Sequence, residues 1–207
     1  MKVGIIGSGH IGATAAGLFV TAGHEVAIAN SRGPESLASL VSELGPRAHA
    51  MTVDEAAAFG EVVLLAIPWR VTEGLPSPQV LSGKIVIDAM NPYTASFEVI
   101  DLGESTSSEQ VAKRLPGARI VKAFNTMQSE ALRTGGRTSR EGHLVLFVAG
   151  DDAEAKAIVS RLIEGIGFEP MDTGTLREGG RRQQPGSSIY GELLTADQAR
   201  VLLAAAP

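Results

Sequence analysis

Gly7-Ser8-Gly9-His10-Ile11-Gly12 is the stretch on which the reading of this chain turns. The apolar run Val3 to Ile6 precedes it, and Ile11, Ala15, Leu18, Phe19 and Ala22 follow at helical spacing until Gly23. Apolar residues so spaced line one helix face, and glycine commonly closes a helix. In a strand-to-helix turn of this kind Gly7 makes the tight bend, Gly9 leaves room for a pyrophosphate, and Gly12 lets helix and strand pack closely. The first helical turn also offers unpaired amides to an anion. The context therefore predicts a dinucleotide site at Gly7, Ser8, Gly9, His10, Ile11 and Gly12.

The next apolar run, Glu25 to Ala29, completes a βαβ unit and ends at Asn30. A site for NAD usually places Asp or Glu there, against the ribose 2'-hydroxyl. Asn30 is neutral, so nothing repels a 2'-phosphate, and Ser31 and Arg32 follow with a hydroxyl and a guanidinium. Asn30, Ser31 and Arg32 predict NADP as the cofactor.

Working outward, the runs Val62 to Ile67, Lys84 to Ile87, Arg119 to Ala123 and Leu144 to Ala149 read as further buried strands, with a short one near Ala48 to Met51. Helices are expected at Pro34 to Leu44, Val53 to Phe59, Ser108 to Leu115 and Ala153 to Ile166, the last opened by Asp151-Asp152. Strands lacking alternation, joined by helices, imply a mainly parallel sheet covered on both faces. The expectation is an α/β, doubly wound, Rossmann-like single domain over residues 1–207 with a short C-terminal extension. Thr173 to Ser188, rich in glycine and arginine, reads as a loop, and residues 173–190 as a mobile cover over the cleft.

Composition narrows the function. A net charge of -5 supplies no basic field for nucleic acid. No apolar run approaches the roughly 20 residues of a membrane helix. The absence of cysteine excludes disulfides and thiolate nucleophiles, and a cytoplasmic location is the simplest reading. His10, His24, His49 and His143 lack metal-ligand spacing, so no metal is expected. Asp54-Glu55 and Asp151-Asp152 stand at helix starts and read as caps rather than an acid–base pair.

Ligands of doubly wound folds lie outside the carboxyl ends of the strands. Three strand exits should share one cleft: Ala66-Ile67-Pro68-Trp69, Asn91-Pro92, and Asn125 with Met127. Asn91 and Asn125 are candidates to orient a planar ring, with Met127 beside them and Trp69 placed to cover it.

With these residues in hand, the chain resembles the family of coenzyme F-420-dependent NADP oxidoreductases. The likeness rests on the glycine turn, Ser31-Arg32, Ala66-Ile67-Pro68, Asn91-Pro92, Lys122-Ala123-Phe124-Asn125-Thr126 and Val148-Ala149-Gly150-Asp151-Asp152. It implies hydride exchange between NADP and a deazaflavin (coenzyme F-420) or flavin near Asn91, Asn125 and Met127, in a homodimer. The segment Arg181 to Tyr190 departs from the pattern expected of deazaflavin-using members. Two alternatives stay open: reduction of a small ketone or imine, with Tyr93, Tyr190 or Lys122 as proton donor, and a non-catalytic NADPH sensor.

Overall fold

A computed structural model of the chain describes residues 1–71, 74–135 and 142–205. The βαβ unit forms as expected: β1 (Lys2–Ile6), α1 (His10–Thr21) and β2 (Glu25–Ala29). A 3-10 turn (Pro34–Leu37) leads into α2 (Ala38–Leu44), where the sequence suggested one continuous helix; then come β3 (Ala48–Ala50), α3 (Val53–Phe59) and β4 (Val62–Leu65). The second half contains α4 (Pro78–Leu81), β5 (Ile85–Asp88), α5 (Ser107–Arg114), β6 (Arg119–Lys122) and α6 (Ser129–Gly135). It continues with β7 (Val145–Gly150), α7 (Ala153–Gly165), β8 (Glu169–Gly174), α8 (Glu178–Arg182) and α9 (Ala196–Ala205).

The strands make one eight-stranded sheet in the order β3-β2-β1-β4-β5-β6-β7-β8. The first six are parallel; β7 runs antiparallel to β6, and β8 lies parallel to β7. Order reverses between β1 and β4, so the carboxyl ends on either side open the crevice in which such folds bind ligands. The chain is therefore a doubly wound, mainly parallel α/β protein.

Both sheet faces are covered. On one, Val3, Ile5, Ile28 and Leu64 pack with Ala15, Ala16 and Phe19 of α1 and with Val159, Leu162 and Ile163 of α7. On the other, Ile6, Ala29, Val63 and Leu65 meet Ala56 and Ala57 of α3 and Val111 of α5. This two-sided burial is why the strands read as unbroken apolar runs. Of the carboxylates expected as caps, Asp152 accepts from Ala155 N at 2.9 Å and Glu55 forms a capping box with Thr52 before α3, whereas Asp54 accepts from Ser77 N and Asp151 from Leu176 N, each at 2.9 Å. Among the described residues no helix is long and apolar enough to cross a membrane.

The segment from Thr173 to Ser188 differs from the loop expected. β8 extends to Gly174, and α8 follows. Its glycines serve close packing rather than freedom: a Cβ on Gly179 would lie 2.6 Å from Thr173 Oγ1. Beyond α8 the chain is tied to the strand exits, with Gln184 Oε1 accepting from Ser107 N at 3.0 Å and Gly191 N donating to Thr126 O at 2.9 Å.

Candidate functional site

The three glycines of the turn differ in their surroundings. Gly7 adopts φ 113°, and a Cβ there would fall 2.3 Å from Ala66 O; on Gly12 it would fall 1.9 Å from Gly7 O. Both positions exclude any side chain. Gly9 is different, since its Cβ would meet nothing within 4 Å. It opens onto free space at the N-terminus of α1, where no side chain caps the helix and no acidic residue occupies the first turn. Those amides are thus available to a pyrophosphate, and the helix dipole favours one.

At the end of β2, Asn30 organises the loop that follows. Its Nδ2 donates to Ser8 Oγ at 3.1 Å and to Ser36 Oγ at 3.0 Å, and its Oδ1 accepts from Arg32 N at 2.9 Å. Asn30 thereby couples the glycine turn to the loop carrying Ser31 and Arg32. Both are exposed, and the Arg32 guanidinium has no partner among the described residues. Ser36 was not singled out in the sequence; it braces this loop by donating to Gly33 O at 2.7 Å. A hydroxyl three residues beyond a glycine was the available signal.

The three exits do share one cleft, built as two adjoining lobes. One, of about 420 Å³, is lined by Gly9, His10, Ile67, Pro68 and Arg70, with Phe97 at its rim. The other, of about 470 Å³, lies between Phe124 to Ser129 and Tyr190. Ile11, Ala89, Asn91 and Tyr93 line both and form the shared wall.

Asn91 and Asn125 are brought together as expected. Asn125 Nδ2 donates to Asn91 Oδ1 at 3.0 Å and to Gln183 O at 2.7 Å, while Asn91 Nδ2 donates to Asn125 O at 2.8 Å and to Tyr190 Oη at 3.1 Å. Tyr93 adds its hydroxyl, donating to Tyr190 Oη at 3.1 Å. Burial pushes the Tyr190 phenol well above its ordinary range, and the Tyr93 hydroxyl adds to the shift. Among the described residues Asn125 Oδ1 is buried without a partner. Met127 borders the second lobe but is mostly enclosed in the core. Pro92 is buried in the turn, where its carbonyl accepts from Ile100 N at 2.7 Å.

Trp69 lines the first lobe and is anchored to α5: its Nε1 donates to Ser107 O at 3.2 Å and the Arg114 guanidinium lies 4.6 Å from its ring centroid. One expectation is corrected. Lys122, offered as a proton donor near the nicotinamide, lines neither lobe. It is wholly buried, with Nζ 3.2 Å from Asp88 Oδ2 and donating to Met90 O and, at 3.3 Å, to Ser107 Oγ. Burial pulls its ammonium below the usual lysine range, with Asp88 opposing the shift. This network fixes Met90 just before Asn91.

The sheet order and the glycine turn at its switch point define a dinucleotide-binding protein of the doubly wound class. The model of the family described as coenzyme F-420-dependent NADP oxidoreductases matches residues 2–92. A hypothetical protein from Sinorhizobium meliloti is 35% identical and superposes with a TM-score of 0.84 over 95% of this chain and 96% of that one. A proposed F-420-dependent NADP reductase from Arthrobacter is 29% identical, with a TM-score of 0.75 over 85% and 86% of the two chains. Rat metalloreductase STEAP3 is 34% identical over 84% of this chain. The chain spans about a third (34%) of the length of the curated relatives it matches. The match to the coenzyme F-420-dependent NADP oxidoreductase family takes in the glycine turn, the Asn30 loop and the exits of β4 and β5.

Proposed function

We propose that the protein transfers hydride between NADP(H) and a deazaflavin or flavin-type acceptor. The observation that carries this is the paired lobes meeting at Asn91 and Tyr93, which offer adjoining spaces for two ring systems. The cofactor half is supported by the open face of Gly9, the uncapped start of α1 and the unpartnered Arg32. In this reading the α1 amides hold the pyrophosphate, Ser31 and Arg32 hold the 2'-phosphate, and Asn91 with Asn125 orients the nicotinamide carboxamide. When bound, NADPH supplies the hydride. The chain's own contribution is chiefly positioning, which can account for a large share of a hydride-transfer rate. A cytoplasmic homodimer belongs to the same reading, and light scattering would report its mass.

Mixing the protein with NADPH and oxidised deazaflavin tests the proposal. Loss of the deazaflavin visible absorbance in step with NADPH supports it; no change at saturating NADPH refutes this acceptor.

A second reading draws on Tyr190. Its hydroxyl accepts from Asn91 and Tyr93, leaving its own proton to donate into the second lobe. A phenol so placed suits protonation of an alkoxide or amine formed from a small ketone or imine. Under that reading Tyr190→Phe abolishes turnover of such substrates; under the first, turnover with deazaflavin survives the change.

A further inference from the structure

Successive side chains of a strand point to opposite sides of the sheet, and β6 keeps to this rule for most of its length. Val121 and Ala123 enter the core beneath α1 and α7, while Ile120 joins the opposite core and Lys122 meets Ser107 of α5. The ladder to β5 continues as far as Ala123 N, which donates to Asp88 O at 3.3 Å. Alternation would then send Phe124 to the α5 side, after Lys122. Its ring lies instead in the same core as Ala123, edge-on to Phe19 of α1 with 6.0 Å between centroids.

The backbone explains the change of side. Phe124 adopts φ 65°, in the left-handed region, where the strand leaves the sheet. For a bulky side chain this conformation is an outlier, and glycine would adopt it without cost. Phe124 is also only 1% exposed, so the strain is held inside the core. Such residues persist where their surroundings over-determine them, and they cluster at functional sites. Two sets of contacts hold this one. The ring is enclosed with Phe19, and the next residue, Asn125, donates from Nδ2 to Gln183 O at 2.7 Å and to Asn91 Oδ1 at 3.0 Å. Both amide hydrogens of Asn125 are thereby used, which fixes the sense of its amide: turned over, its oxygen would face the Gln183 carbonyl.

We propose that Phe124 is a positioning residue for the nicotinamide. Its left-handed turn carries Asn125 from the end of β6 across to Asn91 at the exit of β5, and its ring ties that turn to α1. One residue thus links the helix assigned to the pyrophosphate with the pair assigned to the carboxamide. Glycine would relax the turn and give up the link. The assignment rests on the reading in which Asn91 with Asn125 orients the nicotinamide, and adds the residue that holds that pair in place.

The fluorescence lifetime of NADPH bound to the intact protein reports how firmly the reduced nicotinamide is held, and titration reports its affinity. Phe124→Gly keeps the turn accessible and removes the ring. It should return the lifetime toward that of free NADPH, while affinity, set mainly by the phosphate contacts, falls by less than about tenfold. Asn125→Ala should shorten the lifetime to a similar extent. Phe124→Gly in that background should shorten it no further, because residues that act through one another are not additive. With oxidised deazaflavin, kcat of Phe124→Gly should fall by about a hundredfold at nearly constant KM for NADPH. Phe124→Leu retains an apolar side chain in the core and should give an intermediate lifetime; it carries the same comparison if the glycine variant does not fold. An unchanged lifetime in these variants, or losses that add to that of Asn125→Ala, would overturn the assignment. A lifetime in the wild type no longer than that of free NADPH would overturn it together with the reading beneath it. A firmly held nicotinamide with these variant effects but no reduction of deazaflavin would leave Phe124 its role and defeat the proposed acceptor, so the two fail separately.

Discussion

Lys122 Nζ and Asp88 Oδ2 lie 3.2 Å apart with both side chains entirely excluded from water, at the ends of neighbouring strands β6 and β5. Ser108 Oγ donates to Asp88 at 2.6 Å, and Met90 N donates to its other oxygen at 3.0 Å, so the carboxylate is well satisfied. Removing one partner of such a pair strands the other. Lys122→Met should therefore destabilise the fold by about 3–5 kcal/mol, read as a shift in urea midpoint at constant slope. The double variant Lys122→Met/Asp88→Asn should recover part of that loss. An unchanged midpoint in the single variant would show that the pair does not act as a unit.

The glycines of the turn should separate cleanly. Gly12→Ala places a Cβ 1.9 Å from Gly7 O, a clash that requires α1 to move off β1, so its melting temperature should fall sharply. Gly9→Ala meets nothing in the chain and should melt as wild type, yet it fills the space assigned to the pyrophosphate. Calorimetry should find NADPH affinity reduced in Gly9→Ala at unchanged stability. Equal effects of both changes on stability would argue against that division.

Cofactor choice is assigned to the loop that Asn30 braces. A charged hydrogen bond is worth about 1.5–3 kcal/mol, so wild-type protein should prefer NADPH over NADH by about tenfold to a hundredfold. Arg32→Ala should erase most of that preference while leaving NADH binding nearly unchanged. Equal affinities in the wild type would remove the basis for the assignment.

Tyr190 offers a pH test with a defined sign. Its folded-state value is raised, so the native state holds the phenol proton more tightly than the unfolded chain. The stability it contributes is complete below the unfolded value of about 10 and is lost as pH rises from there toward the raised folded value. The stability gap between wild type and Tyr190→Phe should thus be wider at about pH 9 than at about pH 11. A gap that widens with pH would contradict the burial argument.

The sequence makes the cofactor half of the molecule legible because its signals are local. Parallel strands buried on both faces are apolar runs, and the turn between β1 and α1 needs glycines at fixed offsets. What was hidden depends on tertiary contacts. α8, Glu-Gly-Gly-Arg-Arg, has two glycines in five residues and forms where Gly179 is pressed against Thr173. β8 contains Pro170 and Asp172 and lies at the sheet edge, so it lacks the apolar signature of its neighbours. Trp69 sits at a strand exit as expected, but the direction of its ring is decided by Ser107 and Arg114 on α5. Tyr93 and Tyr190, 97 residues apart, meet only because the chain returns past β8 to the exits of β5 and β6.

The central claim is direct hydride transfer to a ring acceptor held across the Asn91 and Tyr93 wall. Transfer of deuterium from the nicotinamide C4 of NADPH tests it most directly, with the label placed on each face in turn and the reduced deazaflavin analysed by mass spectrometry. Deuterium retained at the deazaflavin C5 from one face, and absent from the other, is the predicted result. Product carrying only solvent hydrogen, or no product despite tight NADPH binding, would contradict the account.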